Sequence, residues 1–182
     1  VLTMDYTIFR PWGEIVWSLG LSRVTKWSFV GCLGTEERSV STLTFLHKEE
    51  LLDDHKMVHV NDSEPQDTEL EQSLINKRLR VCSEAGIDVS PIQADLQAPV
   101  NSWIDTLTSV SRKSVVLDIS SMPKRFFFNC IRRFIKDDNI EDLLLVYVKP
   151  RIYCAGSLSS NADPWSCISG FSTDDPKNAN EA

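Results

Sequence analysis

SVVLDISSMPKRFFFNCIRRF, residues 114–134, holds two periodicities end to end. Its first part, VVLDI, is apolar at successive positions, as in a strand covered on both faces. Ser120, Ser121 and Pro123 then read as a helix start. From there Phe127, Cys130, Ile131, Phe134 and Ile135 recur at helical spacing. A doubly covered strand running straight into an amphipathic helix is half of a βαβ unit, and parallel sheets are built from that unit.

The same alternation recurs outward from this stretch. KWSFVGCLG (26–34), KMVHVN (56–61), IDVSPIQA (87–94), SVVLDIS (114–120) and EDLLLVYVK (141–149) read as five strands. Pro91 places the third near an edge. Between them the pattern predicts helices, after Thr35, from Thr68, over 99–110, and from Ser121. Thr35 stands as a cap with Glu36 and Glu37 in the first turn, and Thr68 with Glu71 forms a capping box. The stripe Leu70, Leu74, Ile75, Leu79 and Cys82 faces a core, and Gly86 stops that helix. In the helix over 99–110, Trp103, Ile104, Leu107 and Val110 share a face. A further helix is expected at 11–20, with Trp12, Ile15, Val16 and Leu19 on one side. LLLVYV, like VVLDI, is continuously apolar and is expected to be covered on both faces. The fold class is therefore α/β: a doubly wound, mostly parallel five-stranded sheet with helices on both faces. Residues 1–150 hold that domain. Residues 151–182, rich in Ser, Asn, Asp and Pro, read as a polar tail or a linker into a further half.

Composition narrows the classes. The chain has 182 residues, 42% of them hydrophobic, and a net charge of −7. That charge argues against duplex-DNA binding, which needs a clustered basic surface, but leaves room for a small anion in a local basic pocket. No apolar run reaches the roughly 20 residues that span a bilayer, and the first residues lack a signal-peptide pattern. Cys32, Cys82, Cys130, Cys154 and Cys167 are odd in number and include no C-x-x-C pair. They suggest reduced, buried thiols in a cytoplasmic protein, with no disulfide framework and no zinc site. His55 and His59 lack an H-E-x-x-H pattern, so no metal or other cofactor is expected.

Ligands of such sheets bind beyond the carboxyl ends of the strands, where strand order reverses. Two of the five eligible loops carry mixed chemistry: Gly34-Thr35-Glu36-Glu37-Arg38 and Asp118-Ile-Ser120-Ser121-Met-Pro-Lys124-Arg125. In the second, Lys124 and Arg125 add positive charge to the positive end of a helix. An exposed cation there costs about 0.3–1 kcal/mol. A bound anion reverses the sign, because N–H groups, hydroxyls, lysine and arginine then act together. The loop is read as a phosphate site, with Asp118 accepting from a ribose hydroxyl or shaping the turn. In the first loop Gly34 permits a tight turn. Glu36, Glu37 and Arg38 suit a base or sugar, or acid–base chemistry. Alternatively both loops only start helices and hold internal ion pairs. Neither a G-x-G-x-x-G nor a G-x-x-x-x-G-K-[ST] pattern is present.

Asp118-Ile-Ser120-Ser-Met-Pro-Lys124 fits D-x-[ST]-x-x-x-[KR] after a fourth strand. It resembles the ligand motif of CARF domains, the Rossmann-like sensors of cyclic oligonucleotides in CRISPR-associated antiviral defence. Met122 and Pro123 stand where that family's loop is commonly glycine-rich. The resemblance implies that Ser120 and Lys124 contact ligand phosphate or ribose. It also implies that Gly34 to Arg38 complete the pocket and that two copies pair around the ligand. Three functions follow as expectations. The first is a nucleotide sensor without catalysis. The second is a small nucleotide or nucleoside hydrolase or transferase using Glu36 or Glu37. The third is a noncatalytic module of a larger protein.

Overall fold

The structure is a computed structural model and describes residues 24–61 and 68–150. The helix expected at 11–20, the loop at 62–67 and the tail at 151–182 lie outside the described residues. Five strands form one sheet: β1 (Trp27–Cys32), β2 (Leu52–Asn61), β3 (Ile92–Asp95), β4 (Ser114–Asp118) and β5 (Asp142–Val146). Their order is β3-β2-β1-β4-β5 and every pairing is parallel. The helices are α1 (Ser41–Lys48), α2 (Thr68–Glu84), α3 (Ile104–Leu107) and α4 (Lys124–Ile135), with 3-10 turns at Glu37–Val40 and Val100–Ser102. This is the doubly wound, Rossmann-like α/β arrangement. Chain order runs outward from β1 to β3, then reverses, so the switch point lies between β1 and β4.

Alternate strand residues feed two cores. Val30, Cys32, Val58, Val115 and Leu117 meet Trp103, Leu107, Phe126, Cys130 and Phe134 beneath α3 and α4. Phe29, Leu33, Met57 and Val116 meet Leu43, Leu46, Ile75 and Cys82 beneath α1 and α2. The continuous apolar runs of β1 and β4 thus reflect burial on both faces. β5 departs from the expectation for LLLVYV. It is an edge strand, with Leu145 46% exposed and Tyr147 55% exposed just beyond it.

Several boundaries also move. The third strand shrinks to Ile92–Asp95, because Pro91 offers no N–H to the ladder; as expected it lies at an edge. The helix expected at 99–110 is a 3-10 turn and a single α turn. Thr35 caps nothing: the turn begins at Glu37, and Glu36 at its N-cap position makes no capping bond. α2 begins at Thr68. α4 starts at Lys124 with Pro123 before it and no serine cap. Its deepest ring is Phe126, fully buried and stacked on Trp103 at 4.3 Å, whereas Ile135 is 58% exposed. On α2, Leu70 is exposed and Arg78 is buried on the core side.

Candidate functional site

The two nominated loops meet at the switch point. Leu33 and Gly34 leave β1, and Ile119 to Pro123 leave β4. A Cβ on Gly34 would stand 3.2 Å from the Ser121 Cβ, so the glycine lets the loops touch. The Ser39 hydroxyl donates to the Gly34 carbonyl at 3.1 Å, and a His59 ring nitrogen bonds the Leu33 carbonyl at 3.1 Å. His55 bonds the Asp88 carbonyl instead.

Ser120 is a structural joint. Its N–H donates to Asp118 Oδ1 at 2.8 Å, and its hydroxyl accepts the Val148 N–H at 2.7 Å. That employment, tying β4 to the exit of β5, is why it does not cap α4. Arg38 completes the joint: it donates to the Val148 carbonyl at 3.1 Å, pairs with Glu36, and lies 5.3 Å above the Tyr147 ring. Glu36 above all, against the effect of burial, holds its guanidinium above the ordinary arginine value. Arg125 is turned toward Gln97 and the Ala98 carbonyl. Glu37 is exposed and faces Arg78; Thr35 is half-buried.

A cluster of polar atoms is left over. Asp118 is 3% exposed, yet its Oδ2 has no hydrogen-bond partner; the same holds for the buried hydroxyl oxygens of Thr42 and Ser121. Burial pushes the Asp118 carboxyl above the ordinary carboxylate value. The Ser120 and Thr42 hydroxyls, the Ser120 N–H and the Arg38 charge pull the other way without cancelling it. Thr42 thus lies close enough to the carboxyl to favour its charged form. An unmatched buried polar group costs about 1–3 kcal/mol. Beside this cluster the first N–H groups of α4, those of Lys124 and Arg125, have no partner among the described residues. The Lys124 side chain is exposed and makes no ion pair or hydrogen bond there.

The structure thus brings Gly34, Asp118, Ser120, Ser121 and Lys124 together, and adds Ser39, Thr42 and Tyr147, which the sequence reading missed. Thr42 is one residue into α1, and Tyr147 is hidden in an apolar run. A cavity of about 540 Å³, lined by Ser41, Thr44, Phe45, His47, Lys48 and Ala85, includes none of the switch-point loop residues. Among the described residues no helix is long and apolar enough to cross a membrane. Compared with protein-family models and with curated proteins, the chain matches none.

Proposed function

We propose that the junction of the β1 and β4 loops binds a phosphate-bearing nucleotide and that the protein acts as its sensor. The observation that carries this reading is the set of unmatched buried oxygens, Asp118 Oδ2, Thr42 Oγ1 and Ser121 Oγ, at the switch point beside an uncapped helix end and an unpaired lysine. The chemistry divides by charge. Lys124, the Ser121 hydroxyl and the α4 N–H groups suit a phosphate. The free carboxyl oxygen of Asp118 and the Thr42 hydroxyl suit a donor such as a ribose hydroxyl. Cyclic oligonucleotides, the class suggested by the D-x-S-x-x-x-K pattern, are the first candidates, shared between two copies in an antiviral-defence setting. Sensing is favoured over catalysis because Glu36, the candidate acid–base group nearer the switch point, is held by Arg38.

Calorimetry and thermal shift against cyclic oligonucleotides and mononucleotides test the proposal. The wild type binds at least one member. Lys124→Ala weakens that member about tenfold, the loss of roughly 1.4 kcal/mol of charge-assisted contact. If the wild type binds no member of the panel, the proposal fails. Turnover that Glu36→Gln or Glu37→Gln abolishes, with binding retained, would replace the sensor with an enzyme.

A further inference from the structure

Arg78 lies on the face of α2 that carries Ile75 and Cys82 into the core, where helical periodicity calls for a hydrocarbon side chain. Its side chain is 7% exposed. A guanidinium has five donors, and arginine at such depth is almost always paired. Here Nε has no hydrogen-bond partner, and the nearest counter-charge is Glu37 Oε1 at 3.9 Å, beyond hydrogen-bonding distance. Glu37 is itself 72% exposed. It belongs to the 3-10 turn Glu37–Val40, against which α2 packs. The cation is buried while its carboxylate is largely in water, so the ion pair is too long and too wet to offset the desolvation of the arginine.

We propose that Arg78 is the anchor of a second anion site, between α2 and the 3-10 turn after β1, which takes a small oxyanion such as a phosphate group. Its residues come from α2 and the 3-10 turn, and none from the α4 loop. Its chemistry follows from the planar fork of the guanidinium, which binds a tetrahedral or planar oxyanion through two parallel N–H···O bonds. Glu37 is the resident competitor. It sits close enough to balance the charge weakly when the site is empty, and its exposure leaves it free to swing into solvent as an anion enters. An anion then supplies the close, desolvated partner that Glu37 does not.

The probe is inorganic phosphate, followed by thermal unfolding of the full chain, with chloride at matched ionic strength as the control. At roughly ten times its half-saturating concentration phosphate raises the wild-type Tm by about 3 °C over the control. Arg78→Met, which keeps the length of the stem, removes that shift. Arg78→Lys keeps the charge but not the fork and reduces the shift several-fold. Glu37→Ala enlarges it and lowers the half-saturating concentration about threefold, because the competitor is gone. Lys124→Ala leaves it intact. No phosphate-specific shift in the wild type, a shift that persists in Arg78→Met, or an unchanged response in Glu37→Ala would each overturn the assignment. So would a shift abolished by Lys124→Ala, which would assign the phosphate to the α4 loop. Failure of the nucleotide panel leaves this site standing, and the reverse is equally true.

Discussion

The core beneath α3 and α4 and the core beneath α1 and α2 share one sheet but differ in content. The first is rings and hydrocarbon: Trp103 on Phe126, then Leu107, Cys130 and Phe134. Its buried Asn129 amide donates to the Arg125 carbonyl, while the Trp103 indole N–H is left without a partner. The second holds Phe29, Leu43 and Leu46, but also buried Ser39, Thr42, Arg78 and Asp118, and three of those four carry an unmatched polar atom. Polar burial without partners is tolerated where something other than stability is being served. Unmatched polar atoms occur on both sides, but the two that belong to charge-bearing groups, Arg78 and Asp118, lie under α1 and α2.

The largest test of that contrast is Phe126→Ala. Phe126 is wholly buried and stacked, so the truncation leaves a cavity and costs about 3–5 kcal/mol in urea unfolding. It leaves ligand and phosphate responses of the folded fraction unchanged. A cost near 1 kcal/mol would mean that this core is loosely packed, and the division of labour would lose its scaffold.

Next in size is Gly31→Ala, on the other side. The Phe29 ring folds back over Gly31, and an added Cβ would meet its Cζ at 2.6 Å. Phe29 is fully buried and has nowhere to retreat, so overpacking costs about 2 kcal/mol. Denaturant unfolding measures it. A neutral substitution would show that the α1/α2 core deforms easily, and the unmatched groups there could then rearrange at little cost.

Asp118→Asn has the opposite sign. The amide keeps an oxygen for the Ser120 N–H and removes a charge that burial disfavours. Because the folded-state pKa is raised, wild-type stability is complete below the unfolded value of about 3.9 and declines as pH rises through the folded value. The variant lacks that decline. It is therefore more stable than wild type at pH 7, by about 1–2 kcal/mol, and the advantage shrinks as pH falls to 4. Thermal melts across that range decide the matter. Nucleotide affinity moves the other way, since the unmatched carboxyl oxygen assigned to a ligand donor is lost. A destabilised Asn variant at pH 7 would place Asp118 with the scaffold.

Much of the first side was legible in the sequence, and much of the second was not. Continuous apolar strands and helical stripes report burial, so the five strands and their mostly parallel pairing could be read from the sequence, whereas the strand order and the place of the switch point come from the fold. Burial of an arginine cannot be read that way. Arg78 sits among Lys77, Arg80 and the acidic residues of α2, and only packing distinguishes it from them. The same holds for the division within SSMPKR. Sequence put all its polar residues on one ligand, whereas Ser120 and Arg125 are tied to Val148, Gln97 and Ala98, leaving Ser121 and Lys124. Long-range hydrogen bonds made that division, and local spacing does not encode them.

The smallest expected effect concerns how α1 and α2 end. α2 stops at Gly86, whose φ of +81° suits a residue without a Cβ, and the Ile87 N–H closes on the Cys82 carbonyl. That stop was readable from the glycine. α1 stops the same way, with the Leu51 N–H on the Leu46 carbonyl, but the left-handed position is held by Glu50 at φ 57°. Its side chain contributes nothing that the turn needs, since the Lys26 ammonium donates to the Glu50 backbone carbonyl. A left-handed non-glycine residue costs about 1–2 kcal/mol, part of which glycine loses again through the flexibility of the unfolded chain. Glu50→Gly therefore stabilises the protein by about 0.5–1 kcal/mol, read as a higher urea midpoint at unchanged slope. It does so without altering either anion response, because it relieves the backbone and leaves the unmatched polar atoms in place. A stabilising Glu50→Gly that also weakened phosphate or nucleotide binding would make this strain part of the ligand side, alongside Arg78 and Asp118.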